Sequence, residues 1–356
     1  MRLTSIAAGI ITLALGAYPA LTTIQSRAAA APRNGLQGTP RGPMSSPSSS
    51  PTSEAPPSIQ QDAPVSQQPL SVQTTIVNVF ATVRDRHNGI VGDLTKDDFK
   101  IYEDGVEQKL AYFTKEVDMP LSFGLLMDTS GSMHFILDAE QDAASTFVHE
   151  VMRKKDEAIV LSFDTDVNLL ADFTEDPQVL RRAIRRAQIN VDASGIGGTG
   201  GTTRQTGGGT NLFDAIYLAA HDELATEAGR KAIIIMTDAE DTGSKLSEAD
   251  AIEAAQRGDA VVHIVLISDP RATEGYGPGV AAKIAQETGG RVINVRNEKD
   301  LEKAFDIISE ELRSQYVLGY YPANVKRDGT FRKIKVEASR PDVKILARKG
   351  YYAPFQ

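Results

Sequence analysis

Between residues 119 and 313, short and nearly unbroken apolar runs alternate with stretches of helical character, and that alternation leaves few folds open. The runs are Leu121–Met127, Ala158–Phe163, Ala232–Met236, Val261–Ile267 and Arg291–Val295. Leu121–Met127 is a near-continuous apolar run, as a strand covered on both faces should be, and the others are similar. Helical stretches lie near 135–154, 177–189, 212–228, 247–257, 279–288 and 299–313, with Pro177 near the start of one and Gly289-Gly290 closing another. A parallel sheet needs crossovers between its strands, and helices supply them on both faces. Val167–Phe173 follows its preceding strand after only Asp164-Thr165-Asp166, which is too short for a crossover, so it is expected to be an antiparallel edge strand. The predicted fold is α/β, a doubly wound and mostly parallel six-stranded sheet.

The flanks of this region read differently. Residues 72–118 hold β-rich segments such as Ile76–Val83, and Asp104-Gly105 sits between Phe99–Tyr102 and Gln108–Phe113 as a hairpin turn. The chain returns to this style in Tyr316–Tyr321, Phe331–Ala338 and Lys344–Ala347. Neither flank has enough strands to stand alone. They are therefore expected to pair into one small β-sandwich-like domain of 72–118 plus 314–352, with 119–313 inserted between them.

Ahead of the folded part, Arg2, an apolar core from Ile6 to Leu15 and the small residues Ala28–Ala31 read as an export signal over 1–31. Its apolar core falls short of the roughly 20 residues of a comfortable span, although retention as an anchor is the alternative. Residues 32–71 follow as a tether, with nine Pro among Ser and Gln and almost nothing to bury. The expected location is secreted or periplasmic, with membrane attachment only if the signal is retained.

Asp plus Glu number 47 against 38 Lys plus Arg, a formal charge of −9. That balance argues against a nucleic-acid partner, which calls for a basic face. With no Cys there is no disulfide framework, no thiolate metal site and no lipoprotein anchor, and five His leave little for zinc. An acidic chain does suit the collection of cations. In open α/β sheets ligands bind outside the carboxyl ends of the strands, where strand order reverses. Three segments fall at such ends: Asp128-Thr129-Ser130-Gly131-Ser132, Thr210-Asn211, and Thr237-Asp238-Ala239-Glu240-Asp241. All offer oxygen and none offers imidazole or thiol, which fits Mg²⁺ or Mn²⁺. Alternate residues of an extended loop point the same way, so Asp128, Ser130 and Ser132 can converge, with Gly131 permitting a tight turn.

Asp-x-Ser-x-Ser after the first strand, a later Thr and a later Asp together resemble the von Willebrand factor type A domain over about 119–313. The resemblance implies a metal-ion-dependent adhesion site. Ser130, Ser132 and Thr210 would offer hydroxyls to Mg²⁺, Asp128 and Asp238 would act directly or through water, and one position would remain for an acidic group of a partner. Flanking stretches are similar to a narrower set, the "VWFA-related, acidobacterial" domain family of secreted bacterial proteins. These are Thr95–Phe99, Tyr102–Gly105, Ser314–Pro322 and Arg348–Tyr352. One departure is Ala239, where type A domains often carry Gly after the Asp; if that position needs a positive φ, Ala costs about 1 kcal/mol or more.

Other motifs carry less. Gly195-Ile196-Gly197-Gly198-Thr199-Gly200 matches a nucleotide-site string, but it follows a helix and opens none, so 193–209 reads as a flexible loop beside the metal site. There is no Gly-x-Ser-x-Gly and no His-Glu-x-x-His. His134 reads as solvated, His263 as a core residue, and Asp164 and Asp166 as turn formers. The expected protein is a non-enzymatic binding or adhesion module that captures a carboxylate of a protein partner through Mg²⁺ (or Mn²⁺), the cation supplying attraction that the acidic chain lacks. The alternative is a structural or assembly component of a cell-envelope complex in which the metal serves stability.

Overall fold

The structure, a computed structural model, describes residues 76–116, 119–189, 209–268 and 277–355. The export signal, the tether and the 193–208 part of the glycine-rich loop lie outside the described residues. The chain begins with β1 (Val77–Arg84), β2 (Phe99–Glu103), β3 (Val106–Gln108) and β4 (Leu110–Glu116). It then enters β5 (Leu121–Asp128), α1 (Leu137–Val151), β6 (Glu157–Phe163), β7 (Val167–Thr174) and α2 (Pro177–Ile184). After α3 (Leu212–Tyr217) come β8 (Arg230–Thr237), α4 (Glu248–Arg257), β9 (Ala260–Ile267), α5 (Gly277–Thr288), β10 (Val292–Val295) and α6 (Glu298–Arg313). It closes with β11 (Gln315–Tyr320), β12 (Phe331–Ala338), β13 (Lys344–Ala347) and β14 (Gly350–Tyr352).

The central sheet has six strands in the order β10-β9-β8-β5-β6-β7. Its pairs are parallel except β6 with β7, which run antiparallel at one edge because the Asp164 turn is too short for a crossover. Every residue of β5 and β9 is buried, as continuous apolar strands demand. One core cluster joins Phe123, Leu125 and Met127 to α1, α2 and α6, and a second joins Leu126, Ile233 and Ile235 to α3, α4 and α5. Each fully buried Leu or Ile contributes about 1.5–3 kcal/mol, so both faces of the sheet are secured by burial.

Two four-stranded sheets, β13-β1-β11-β4 and β14-β12-β2-β3, draw strands from both flanks of this region. One apolar cluster lies between them, with Val79, Ala81 and Tyr316 from the first sheet and Ile101, Ile334 and Tyr351 from the second. The pairing is non-local, with β1 antiparallel to β11 and β2 antiparallel to β12. Gln315 sits opposite Glu116, so the two ends of the intervening α/β segment emerge side by side. Asp104 and Gly105 both have positive φ, 48° and 84°, as a two-residue hairpin turn requires. Two sequence expectations need correcting here. Gln108–Phe113 is not one strand: β3 stays with β2, and β4 crosses to pair with β11, a corner that apolar alternation does not reveal. The 212–228 helix is α3 followed by a π-helical turn over Leu218–Glu223, where Leu224 N–H reaches back to Ala219 O.

The β sheets meet the α/β part through a buried ionic cluster. Arg84, on the face of β1 opposite Val83, donates through Nε to Glu311 Oε1 at 2.7 Å, and Arg291 donates to the same oxygen at 3.0 Å. His263 Nδ1 lies 3.4 Å from the other Glu311 oxygen. Burial holds its imidazole below the ordinary range despite the Glu311 charge, so His263 is a core residue that does not share the ion pair as a cation. Among the described residues no helix is long and apolar enough to cross a membrane. Removing Glu311 would take from the buried Arg84 guanidinium its 2.7 Å carboxylate partner, leaving the Asn88 carbonyl and Glu310 at 3.7 Å, so Glu311→Ala is expected to cost about 3–5 kcal/mol. Urea denaturation checks this, and a loss below about 1 kcal/mol, the scale of an exposed pair, would contradict it.

Candidate metal centre

β5 and β8 are neighbours in register, with Met127 opposite Met236, so Asp128 and Thr237 leave the sheet side by side. The helix after β5 covers one face and the helix after β8 covers the other. Strand order therefore reverses at this junction, and the diverging crossovers open a crevice at the carboxyl ends.

Asp128 is fully buried there. Its Oδ1 accepts a hydrogen bond from Ser130 N–H at 2.9 Å, and its Oδ2 accepts one from Thr237 Oγ1 at 2.6 Å. Thr237 Oγ1 in turn accepts from Ala239 N–H at 2.9 Å, so its hydroxyl is fully engaged in holding Asp128. Ser130 Oγ and Ser132 Oγ are 3.1 Å apart. The two hydroxyls therefore converge, Ser130 buried and Ser132 exposed at the mouth. Half-buried Asp238 accepts from Glu240 N–H at 3.1 Å. Burial is the main force on the Asp128 carboxyl and pushes it up to about 6; the bonds from Ser130 and Thr237 oppose the rise, and the charge of Asp238 adds to it.

Thr210 is held by its backbone. Its N–H donates to Thr242 Oγ1 at 3.0 Å, and its carbonyl accepts from Thr242 N–H and Gly243 N–H, both at 3.1 Å. This ties Thr210 to the same loop that carries Asp238. Asp164 joins the remaining pieces. Its carboxylate accepts from Thr129 Oγ1 at 2.9 Å, and its carbonyl accepts from Asn211 N–H at 2.8 Å. Asp164 thus forms the turn expected of it and also clamps the Asp-x-Ser loop to the Thr210 segment. His134 is exposed and engaged with Gly131 O at 2.9 Å.

The residues fit a hard cation. Among the described residues no three His, Cys, Asp or Glu groups converge as ion ligands. The donor set is instead the hydroxyls of Ser130, Ser132 and Thr210 with the carboxylates of Asp128 and Asp238. Burial and the neighbouring charge of Asp238 both disfavour the ionised Asp128 carboxyl, and a divalent cation beside the two carboxylates would reverse that opposition.

Thr237, Asp164 and Gly277 are the supporting residues that the motif does not name. Ala239 has φ +59° and is fully buried, so this position does need the left-handed conformation and Ala bears a strain of about 1–2 kcal/mol. Gly277 opens α5 against the same loop, and a Cβ there would lie 2.1 Å from Asp238 O. Gly277→Ala must push the Asp238 loop away and is expected to destabilise by about 1–3 kcal/mol. Denaturation equal to that of the unaltered chain would contradict the close approach.

With the fold and the crevice in view, comparison with known proteins gives the class. Residues 124–240 match the family model of the von Willebrand factor type A domain, and this part of the chain is such a domain. Among solved structures the chain is similar to the conserved hypothetical protein BatB from Bacteroides thetaiotaomicron, at 19% identity over 55% of this chain and 100% of that one, with a TM-score of 0.42. It is similar to a von Willebrand factor type A protein from Catenulispora acidiphila at 13% identity, over 73% of this chain and 74% of that one, TM-score 0.43. A third is the vWF domain of the type V pili tip protein Mfa5 from Porphyromonas gingivalis, at 14% identity over 55% and 96%, TM-score 0.42. No curated protein matches the chain.

Proposed function

We propose that the protein is an exported, non-enzymatic binding module that captures a carboxylate of a protein partner through Mg²⁺ or Mn²⁺ held by Asp128, Ser130, Ser132, Thr210 and Asp238. The observation that carries this reading is the buried Asp128 carboxylate at the β5–β8 junction, fixed by Ser130 N–H and Thr237 Oγ1 beside two converging serine hydroxyls. A bound divalent cation supplies local positive charge and an open coordination position on an acidic chain. The protein's own part is to orient. Asp128 is fixed from two sides, Asp164 and Thr242 hold the Thr210 segment, and exposed Ser132 marks the side from which a partner approaches. Export is supported by the signal-like first thirty-one residues. No side chain in the donor set is set apart as a general base, which favours binding over hydrolysis.

Titration calorimetry of the full chain with Mg²⁺ and Mn²⁺ tests this reading. Ser130→Ala and Asp238→Ala are each expected to lower affinity at least about tenfold. An unaltered chain that takes up neither ion would overturn the reading. Metal uptake that raises the melting temperature while acetate and an Asp-containing peptide fail to bind would favour the envelope-assembly alternative, in which the metal serves stability.

A further inference from the structure

Glu140 belongs to none of the segments discussed so far, yet it lies beneath them. It falls in the first turn of α1 on the face that packs on the sheet, between Leu137 and Ala144, both of which are in the core. Helical side chains tilt toward the helix N-terminus, and the N-terminus of α1 leads directly from the Asp-x-Ser loop. The Glu140 side chain is therefore directed at the carboxyl ends of the strands.

Its surroundings are unusual for a carboxylate. Glu140 is 0% exposed, and among the described residues neither of its carboxylate oxygens has a hydrogen-bond partner. Buried acceptors left unpaired are costly, and more so when charged. Burial first, and then the charges of Asp128 and Asp238, hold its carboxyl well above the usual range. Apolar packing would be served better by Leu or Met at this position. A carboxylate kept dry, unpaired and facing two others makes physical sense where a cation and its water complete the group.

Building on the cation reading above, we propose that Glu140 is a further member of this metal site, acting through water on a cation held by Asp128, the serine hydroxyls, Thr210 and Asp238. Water mediation follows from the absence, among the described residues, of three acidic or imidazole groups close enough to grip one ion directly. It also agrees with the chemistry of Mg²⁺, which keeps several waters and takes only one or two carboxylates. Glu140 is thus a positioning residue: it accepts from a metal-bound water, fixes that water and adds negative charge.

The test compares the full chain with Glu140→Gln and Glu140→Met by Mg²⁺ calorimetry, together with melting curves with Mg²⁺ and with a chelator. Glu140→Gln is expected to bind Mg²⁺ about 10–100-fold more weakly, the usual effect of losing an outer partner. Its melting temperature in chelator should equal or exceed that of the unaltered chain, and its rise on adding Mg²⁺ should shrink. A purely structural Glu140 would lower the chelator melting temperature and leave affinity unchanged, which overturns the proposal. If Glu140→Gln folds poorly, Glu140→Met decides, since it keeps the packing; unaltered affinity in that variant overturns the role of Glu140 while the five-residue site stands. Failure of the unaltered chain itself to bind Mg²⁺ overturns both.

Discussion

The anchoring of one buried carboxylate organises this molecule's crevice. Asp128 ends β5 with no exposure to solvent, and it is held there by a backbone N–H from its own loop and a threonine hydroxyl from the neighbouring strand. A charge in that position is costly unless it is bonded and balanced. The hydrogen bonds supply the first requirement; the serine hydroxyls are neutral and Asp238 opposes the second, so balance is the part that the proposed cation would supply. The loop after β8 that carries Asp238 also holds Ala239 in a left-handed conformation and is closely approached by Gly277. Strained backbone tends to persist where the surroundings over-determine it, and such places are commonly functional.

The support for the crevice comes from the sheet and from the opposite end of the α/β segment. The crossovers that diverge from β5 and β8 create the opening, while two independent apolar clusters fix the strands on either face. At the far side, Arg84, Arg291, His263 and Glu311 tie the β sheets to α6 and β9. The paired ends of β4 and β11 bring the entry and exit of the α/β segment together. Such an arrangement commits the end of the α/β segment away from the crevice to internal contacts.

Much of this was legible in the sequence because its signals are local. Continuous apolar runs separated by amphipathic stretches specify covered parallel strands, and the short Asp164 turn specifies the antiparallel edge. Asp128, Ser130 and Ser132 could be grouped because they lie within five residues, and Thr210 and Asp238 because they stand at the ends of elements. What stayed hidden depends on contacts between distant segments. The corner at Lys109 looks like part of a continuous strand, because alternation is indifferent to which sheet a strand joins. Asp164 looks like a turn residue, and its bonds to Thr129 and Asn211 arise only when three loops meet. Glu140 looks like an ordinary acid in the first turn of a helix, where such residues are favoured. Its place on the Leu137–Ala144 stripe was the available clue, since a carboxylate on an apolar stripe has no partner in its own helix.

In the proposed reading, oxygen ligands at the β5–β8 junction hold one divalent cation. The most direct measurement is a crystal structure of the full chain grown with Mn²⁺, with the ion located by its anomalous scattering. The account predicts a single strong peak within bonding distance of the Ser130 and Ser132 hydroxyls, flanked by Asp128, Thr210 and Asp238. A crevice without a peak at saturating Mn²⁺, or an ion bound only elsewhere on the acidic surface, would contradict it.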